Sequence, residues 1–250
     1  MGFSMLAKDL FQLKEQSVLV VTGLLIGEVS VGDTVYVIRP EDDYKAVVVD
    51  IDKNENGAVV KGEHAATGSV ALHIVPQGKF KIGEYDVITD VEPQRTIDVN
   101  VPVVNPGLSG ILDSYAYYKD DNSFMDHFVF ALAHGHFLVP IRVMDNADDD
   151  EFAFAALPDQ NMGGKQVLPL FTDWGQLNKW EGLMESGENV KTLVLTFPDV
   201  AGVIEANGYG SIALNPFCNN PVSVPAAMIE SITKLDGYKR MMQGDNIVSP

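Results

Sequence analysis

The sequence is poor in cysteine, in basic residues and in long apolar runs. A single thiol, Cys218, in 250 residues excludes an intramolecular disulfide. Lys and Arg total 17 against 35 Asp and Glu, a formal charge of −18 to which both halves contribute. Such a chain offers no cationic face, so phosphate-driven DNA or RNA binding and attachment to an anionic membrane surface are not expected. No run approaches the roughly 18 apolar residues that span a bilayer, and the N-terminus lacks a basic region followed by an apolar stretch and cleavage site. The expectation is a soluble, reduced, cytoplasmic protein without a membrane anchor.

Catalytic signatures are missing as well. Gly163-Gly164-Lys165 has the look of a phosphate-loop tail, but Asp159 stands where the loop's first glycine belongs and Gln166 replaces the metal-binding hydroxyl. Gly208-Tyr209-Gly210 leads toward a strand, so no helix N-terminus faces a pyrophosphate. His127 and His134 lie seven residues apart, about 10 Å along a helix and too far to share a metal. His134 and His136 flank Gly135 at a helix end, and the run from Asp148 to Glu151 lacks the glycine and closing glutamate of a calcium loop. Cys218 has no assignable basic partner in sequence. No cofactor, no metal and no enzymatic activity are expected.

What is present is a hydrophobic content of 46 % with 21 % charged residues, enough to build two cores. Short runs rich in Val and Ile, 17–22, 24–29, 34–38, 45–51, 57–61, 69–75 and 80–88, are punctuated by Gly23, Gly32, Asp42-Asp43, Asn56-Gly57 and Gly83. Even spacing of this kind predicts a small β-barrel over 1–92, with Gly23 at a tight corner and Asn56-Gly57 as a two-residue hairpin turn. Pro93, Pro102 and Pro106 mark a linker over 93–106. Beyond it, Leu108, Ile111, Leu112 and Tyr115, then Phe124, Phe128, Ala131 and Leu132, recur at helical spacing and predict two packed amphipathic helices.

Strands are then expected at 137–143, 152–156, 166–171, 191–196 and 211–214. Asp173 with Gln176 three residues on forms a capping box ahead of Trp174, Leu177 and Trp180. Pro198 begins a helix that Gly208 ends, and a last helix covers 225–235. The fold class is α+β in two domains: a barrel, and a mixed αβ layered domain over 107–250.

Two resemblances follow from these residues. The run from Leu19 to Gly23, then Gly27 to Ile38, Ala65 to Gly68 and Gly83 to Ile88, resembles the barrel-shaped second domain of translational GTPases such as elongation factor Tu. Val167 to Trp174 with Leu177 and Trp180, then Ile212 to Phe217, and upstream Phe137 to Ile141, looks like the SseB family, bacterial proteins named for enhanced serine sensitivity. The second resemblance implies a bacterial regulatory or interaction role without a defined reaction. The leading expectation is therefore a non-catalytic protein that recognises a protein partner or a small ligand, with no direct nucleic-acid or membrane contact. An alternative of another class is a translation- or ribosome-associated factor that uses the barrel without a GTPase domain; a third is a small enzyme built on Cys218.

The turns after strands 166–171 and 211–214 both fall at strand C-terminal ends, where open αβ sheets collect ligands. Phe171, Thr172, Trp174, Asn215 and Phe217 are accordingly expected to converge on one edge, with Thr172 and Asn215 giving polar contacts and the aromatics apolar area. The competing expectation is structural, since such aromatics usually fill cores and Asn215 before Pro216 suits a turn.

Overall fold

The computed structural model describes residues 2–12, 17–40, 42–55, 58–78, 81–94, 101–144, 152–158, 165–185 and 189–242. Its first eight strands are β1 (Ser4–Leu6), β2 (Leu10–Gln12), β3 (Leu19–Ser30), β4 (Thr34–Ile38), β5 (Asp43–Glu55), β6 (Ala58–Gly62), β7 (His64–Pro76) and β8 (Val87–Thr89). Six of them close into an antiparallel ring in the order β1, β8, β4, β5, β7, β3 and back to β1, while β2 adds to β3 and β6 to β5. Alternation explains the interior: Val21, Leu25, Val35, Val37, Val48, Ile51, Leu72, Ile74 and Ile88 are fully enclosed.

The expected corner at Gly23 is absent, and 17–22 and 24–29 merge into the single strand β3. Gly23 is instead the place where β1 crosses close by. A Cβ built there lies 2.2 Å from the Leu6 carbonyl oxygen and 2.7 Å from Met5 Cγ, so only glycine admits the approach that closes the barrel. Asn56-Gly57 lies outside the described residues, although β5 and β6 on either side pair antiparallel. Residues 80–86, expected in a strand, instead form the approach to β8 where described.

Two helices follow, α1 (Pro106–Tyr118) and α2 (Asn122–Ala133). Asp121 holds the start of α2 by accepting from the Ser123 and Phe124 amides at 2.8 and 3.2 Å. The apolar stripes read from the sequence face inward, with Leu108, Ile111, Leu112, Phe124, Phe128 and Leu132 buried. The chain divides into two compact units, 1–95 with 105–131, and 96–104 with 132–250. The helical pair thus groups largely with the barrel, whereas the composition change had placed the division at 93–106. The reason is direct contact: α1 packs on β1 and β8, and Ser4 Oγ donates to Asp113 Oδ2 at 2.7 Å.

The second unit contains β9 (His136–Val143), β10 (Phe152–Phe154), β11 (Leu157–Pro158), β12 (Gln166–Leu170), α3 (Trp174–Leu177), α4 (Glu181–Glu185), β13 (Val190–Thr196), α5 (Phe197–Asn207), β14 (Ser211–Leu214), β15 (Val222–Pro225), α6 (Ala226–Lys234) and α7 (Asp236–Met242). Its strands form two small sheets, β10-β9-β13 and β11-β12-β14-β15. An isolated bridge between Leu138 and Phe171 connects β9 to the end of β12. Only β12 and β14 run parallel, and the chain between them passes through α3, α4, β13 and α5. Helix α5 starts on a capping box between Thr196 and Asp199 with Pro198 in its first turn, and ends at Gly208 with φ +67°.

Candidate functional site

Because β12 and β14 are parallel neighbours, the segments that leave them emerge side by side. The Asn215 amide donates to the Leu170 carbonyl at 2.9 Å, extending the ladder by one residue before both chains turn away. Asn215 makes its turn with φ +48°, a left-handed conformation that asparagine tolerates better than most residues. Its side chain then bridges the two turns. Thr172 N–H donates to Asn215 Oδ1 at 3.0 Å, and Asn215 Nδ2 donates to Thr172 Oγ1 at 3.0 Å. Thr172 Oγ1 also donates to Asp173 Oδ2 at 2.9 Å, while Asp173 Oδ1 accepts from the Gln176 amide at 2.9 Å and so caps α3.

This placement separates the five candidate residues into two groups. Phe171, Thr172 and Asn215 are buried, and the two polar side chains are turned toward each other within the protein. Trp174 and Phe217 are exposed to 43 and 38 %. Phe217 lies parallel to Phe171, ring centres 6.3 Å apart, and against Trp180 at 5.0 Å. Trp180, expected beyond the turn after 166–171 but not among the five candidate residues, therefore completes an aromatic stack running from the core to the surface. Trp174 faces a cleft of about 470 Å³, lined also by Leu177, Asn178, Leu183, Val190, Lys191 and Thr192. Apolar walls with a few polar groups are what a recognition site needs. Leu183 and Lys191 carry no local motif; only the packing of α4 beside β13 brings them to Trp174.

Cys218, in the turn after β14, is half-buried, and its thiol has no hydrogen-bond partner among the described residues. No group of three His, Cys, Asp or Glu side chains among the described residues is arranged to hold a metal ion. No described helix is long and apolar enough to cross a membrane.

A second polar cluster, unforeseen in the sequence, lies in the first unit. Asp86, 1 % exposed, accepts at Oδ2 from Arg39 Nε at 2.8 Å and from the Gly83 amide at 2.6 Å. Its Oδ1 is buried with no hydrogen-bond partner, and His127 Nε2 stands 3.7 Å from it. Burial alone lowers the His127 pKa, but Asp86, the Ser123 carbonyl and Asp126 outweigh it and hold the imidazole above its ordinary value. Tyr85, also enclosed, adopts φ +66° and donates its hydroxyl to Asp121 Oδ2 at 2.8 Å. Lys8 donates to the Tyr85 hydroxyl at 2.9 Å and pairs with Glu84; these bonds raise its pKa despite the opposing effect of burial. These groups interlock the segment after β1, the end of β4, the approach to β8 and the start of α2, and their separation in sequence conceals them.

The geometry thus defines an α+β protein with an N-terminal closed barrel and, toward the C-terminus, a cleft walled by α3, α4 and β13 with Trp174 as its aromatic side chain. Comparison with known families adds one finding: residues 108–231 match the SseB protein N-terminal domain. The chain therefore carries an SseB-like domain, extending from α1 into α6 and including the cleft, while the barrel lies outside the match. No curated protein matches the chain.

Proposed function

We propose that this chain is a non-catalytic bacterial cytoplasmic protein that acts by recognition, binding a protein partner or small ligand at the cleft beside Trp174. One observation carries the reading: Trp174 and Phe217 remain substantially exposed where the ends of β12 and β14 meet, although both are large aromatics flanked by an apolar core. Exposed aromatics set on a rigid base are the usual anchors of an interface. Thr172 and Asn215 are given a supporting role here, holding the two turns in register.

The test is affinity capture from cells with wild-type protein and with Trp174→Ala and Phe217→Ala. Loss of the same specific partner in both variants, with thermal stability retained, supports the site; retained capture in both refutes it. Turnover of a substrate by the purified protein, abolished by a point substitution in the cleft, would refute the non-catalytic reading.

The closed six-stranded barrel supports a second reading, a ribosome-associated factor. The resemblance in sequence of 19–38, 65–68 and 83–88 to the second domain of elongation factor Tu motivates this reading, and the charge of −18 would direct docking toward a basic ribosomal protein rather than RNA. Absence from ribosomal fractions of a low-salt sucrose gradient would count decisively against it.

A further inference from the structure

Among the described residues the second unit leaves a backbone edge open beside the cleft. Val143 N–H donates to the Asn189 carbonyl at 2.9 Å, and this contact sets the alternation along the β9–β13 ladder. Lys191, Leu193 and Leu195 direct their backbone groups to β9, whereas Val190, Thr192 and Val194 direct theirs away from it. The opposite side of β9 keeps the same phase: Leu138 exchanges hydrogen bonds with Phe171, and the Pro140 carbonyl accepts from the Ala155 amide. Among the described residues β13 pairs with no strand except β9. Of its outward amides only Thr196 has a partner there, the Asp199 carboxylate at 2.9 Å.

The side chains on this edge are unusually apolar for an open strand. Leu193 and Leu195 are half-buried and Val194 is 39 % exposed. Open edges are ordinarily blunted by Lys, Pro, a bulge or a covering element. Here Lys191 blunts one end only, and 192–195 follow it without a charge. Val190 and Thr192, two of the three residues with outward backbone groups, also line the Trp174 cleft. A backbone template and an apolar receptacle are therefore continuous.

We infer that β13 is a docking strand for an extended segment of a basic partner protein. The segment pairs with the free backbone groups of Val190, Thr192 and Val194 and places an apolar side chain in the cleft walled by Trp174, Leu177 and Leu183. This rests on the recognition reading above and assigns its partner class. Strand addition derives affinity from main-chain hydrogen bonds and specificity from a pocket for alternate side chains. Charge selects the occupant at long range: the chain as a whole, at −18, attracts a segment flanked by Lys or Arg and repels a second copy of itself, while Lys191, the one charged side chain lining the cleft among the described residues, leaves the pocket to an uncharged apolar anchor.

The experiment uses the full chain and a displayed library of random peptides, followed by synthesis of the enriched sequences. Expected are basic peptides with an apolar anchor, bound with a change in Trp174 fluorescence and with amide exchange at Thr192 and Val194 slowed about tenfold or more. Thr192→Pro removes an amide that serves no internal bond, a position where an edge strand accepts proline, and weakens binding about tenfold while the fold persists. If that variant unfolds, exchange at the two amides in the wild-type protein decides. Binding that leaves both amides unchanged overturns strand addition and leaves recognition at the cleft standing. Enrichment of acidic peptides, or failure to enrich any, overturns the proposal, while the capture experiment judges the recognition reading separately. Protection of Thr192 and Val194 that grows with protein concentration in the absence of peptide assigns the edge to a second copy and also overturns it.

Discussion

His127 Nε2 and Asp86 Oδ1 face each other at 3.7 Å across the join between α2 and the approach to β8. His127 Nδ1 lies 2.9 Å from the Ser123 carbonyl, an acceptor only, so that nitrogen carries a proton. A neutral ring would then present a lone pair at Nε2 to an oxygen that has no hydrogen-bond partner among the described residues. The imidazolium resolves the conflict by placing a proton between them, with Arg39 as the other cation at Asp86.

The pH dependence follows in sign. The folded pKa of His127 is raised above its unfolded value, so its stabilisation is fully present below the unfolded pKa of about 6.5 and is lost as pH rises through the folded value. Thermal unfolding of the full chain at pH 6 and in a series above neutrality should show this component declining upward. His127→Gln should destabilise the protein most at pH 6 and progressively less at higher pH. An equal cost at every pH would disprove the protonated clasp.

Asp86→Ala should be among the most damaging single changes. It removes the acceptor for a largely buried Arg39 guanidinium and for the Gly83 amide, and breaking a buried pair costs about 3–5 kcal/mol. Urea unfolding measures it, and the double variant with Arg39→Met should recover part of the loss because the guanidinium is then no longer buried without its carboxylate.

Gly23→Ala tests barrel closure. A methyl group 2.2 Å from the Leu6 carbonyl oxygen has no room unless β1 moves, and the clash should cost about 3 kcal/mol or more. Gly32→Ala is less suited as a control, since its φ of +95° is itself unfavourable for alanine; Gly182→Ala, in open space in the other unit, should be nearly silent.

Asn215→Ala combines two losses, the bridge to Thr172 and tolerance of φ +48°, and should lower stability by about 2–3 kcal/mol. Thr172→Val retains the backbone bond and should cost less, about 1–2 kcal/mol. Neither change reaches the surface, so in chemical denaturation they should report on the join between the turns.

Much of the local structure was legible because its causes are local. Asp173, Pro198 and Gly208 punctuate α3 and α5 through bonds or angles within a few residues, although the expected return bond from the Gln176 side chain is absent among the described residues and its oxygen accepts from Lys179 instead. The strand ends carrying Phe171 and Asn215 could be brought together in advance because a strand's C-terminal end is recognisable from its turn residues. Gly23 was misread for a physical reason: glycine serves equally for a corner and for close backbone approach, and the residue that needs the space, Leu6, is 17 positions away. β1 itself, three residues long, has too few positions to show alternation. The Arg39, Asp86 and His127 cluster and the cleft wall formed by Leu183 and Lys191 depend on packing between distant segments, which no periodicity encodes.

The barrel closes through β1, which pairs through Ser4 and Met5 with β3 and through all three of its residues with β8, some eighty positions later. During synthesis, a nascent chain therefore emerges with its closing strand first and its docking partner last. Until Val87–Thr89 has left the ribosome, β1 can zip only to β3, and both β1 and β4 carry a lip that β8 will later cover. Such long-range closure makes folding slow relative to helical neighbours and exposes transient sticky borders. Translation pausing between the codons of β1 and β8 should therefore favour aggregation of this chain, whereas pausing after about residue 130, counting the residues still held in the exit tunnel, should favour a finished barrel.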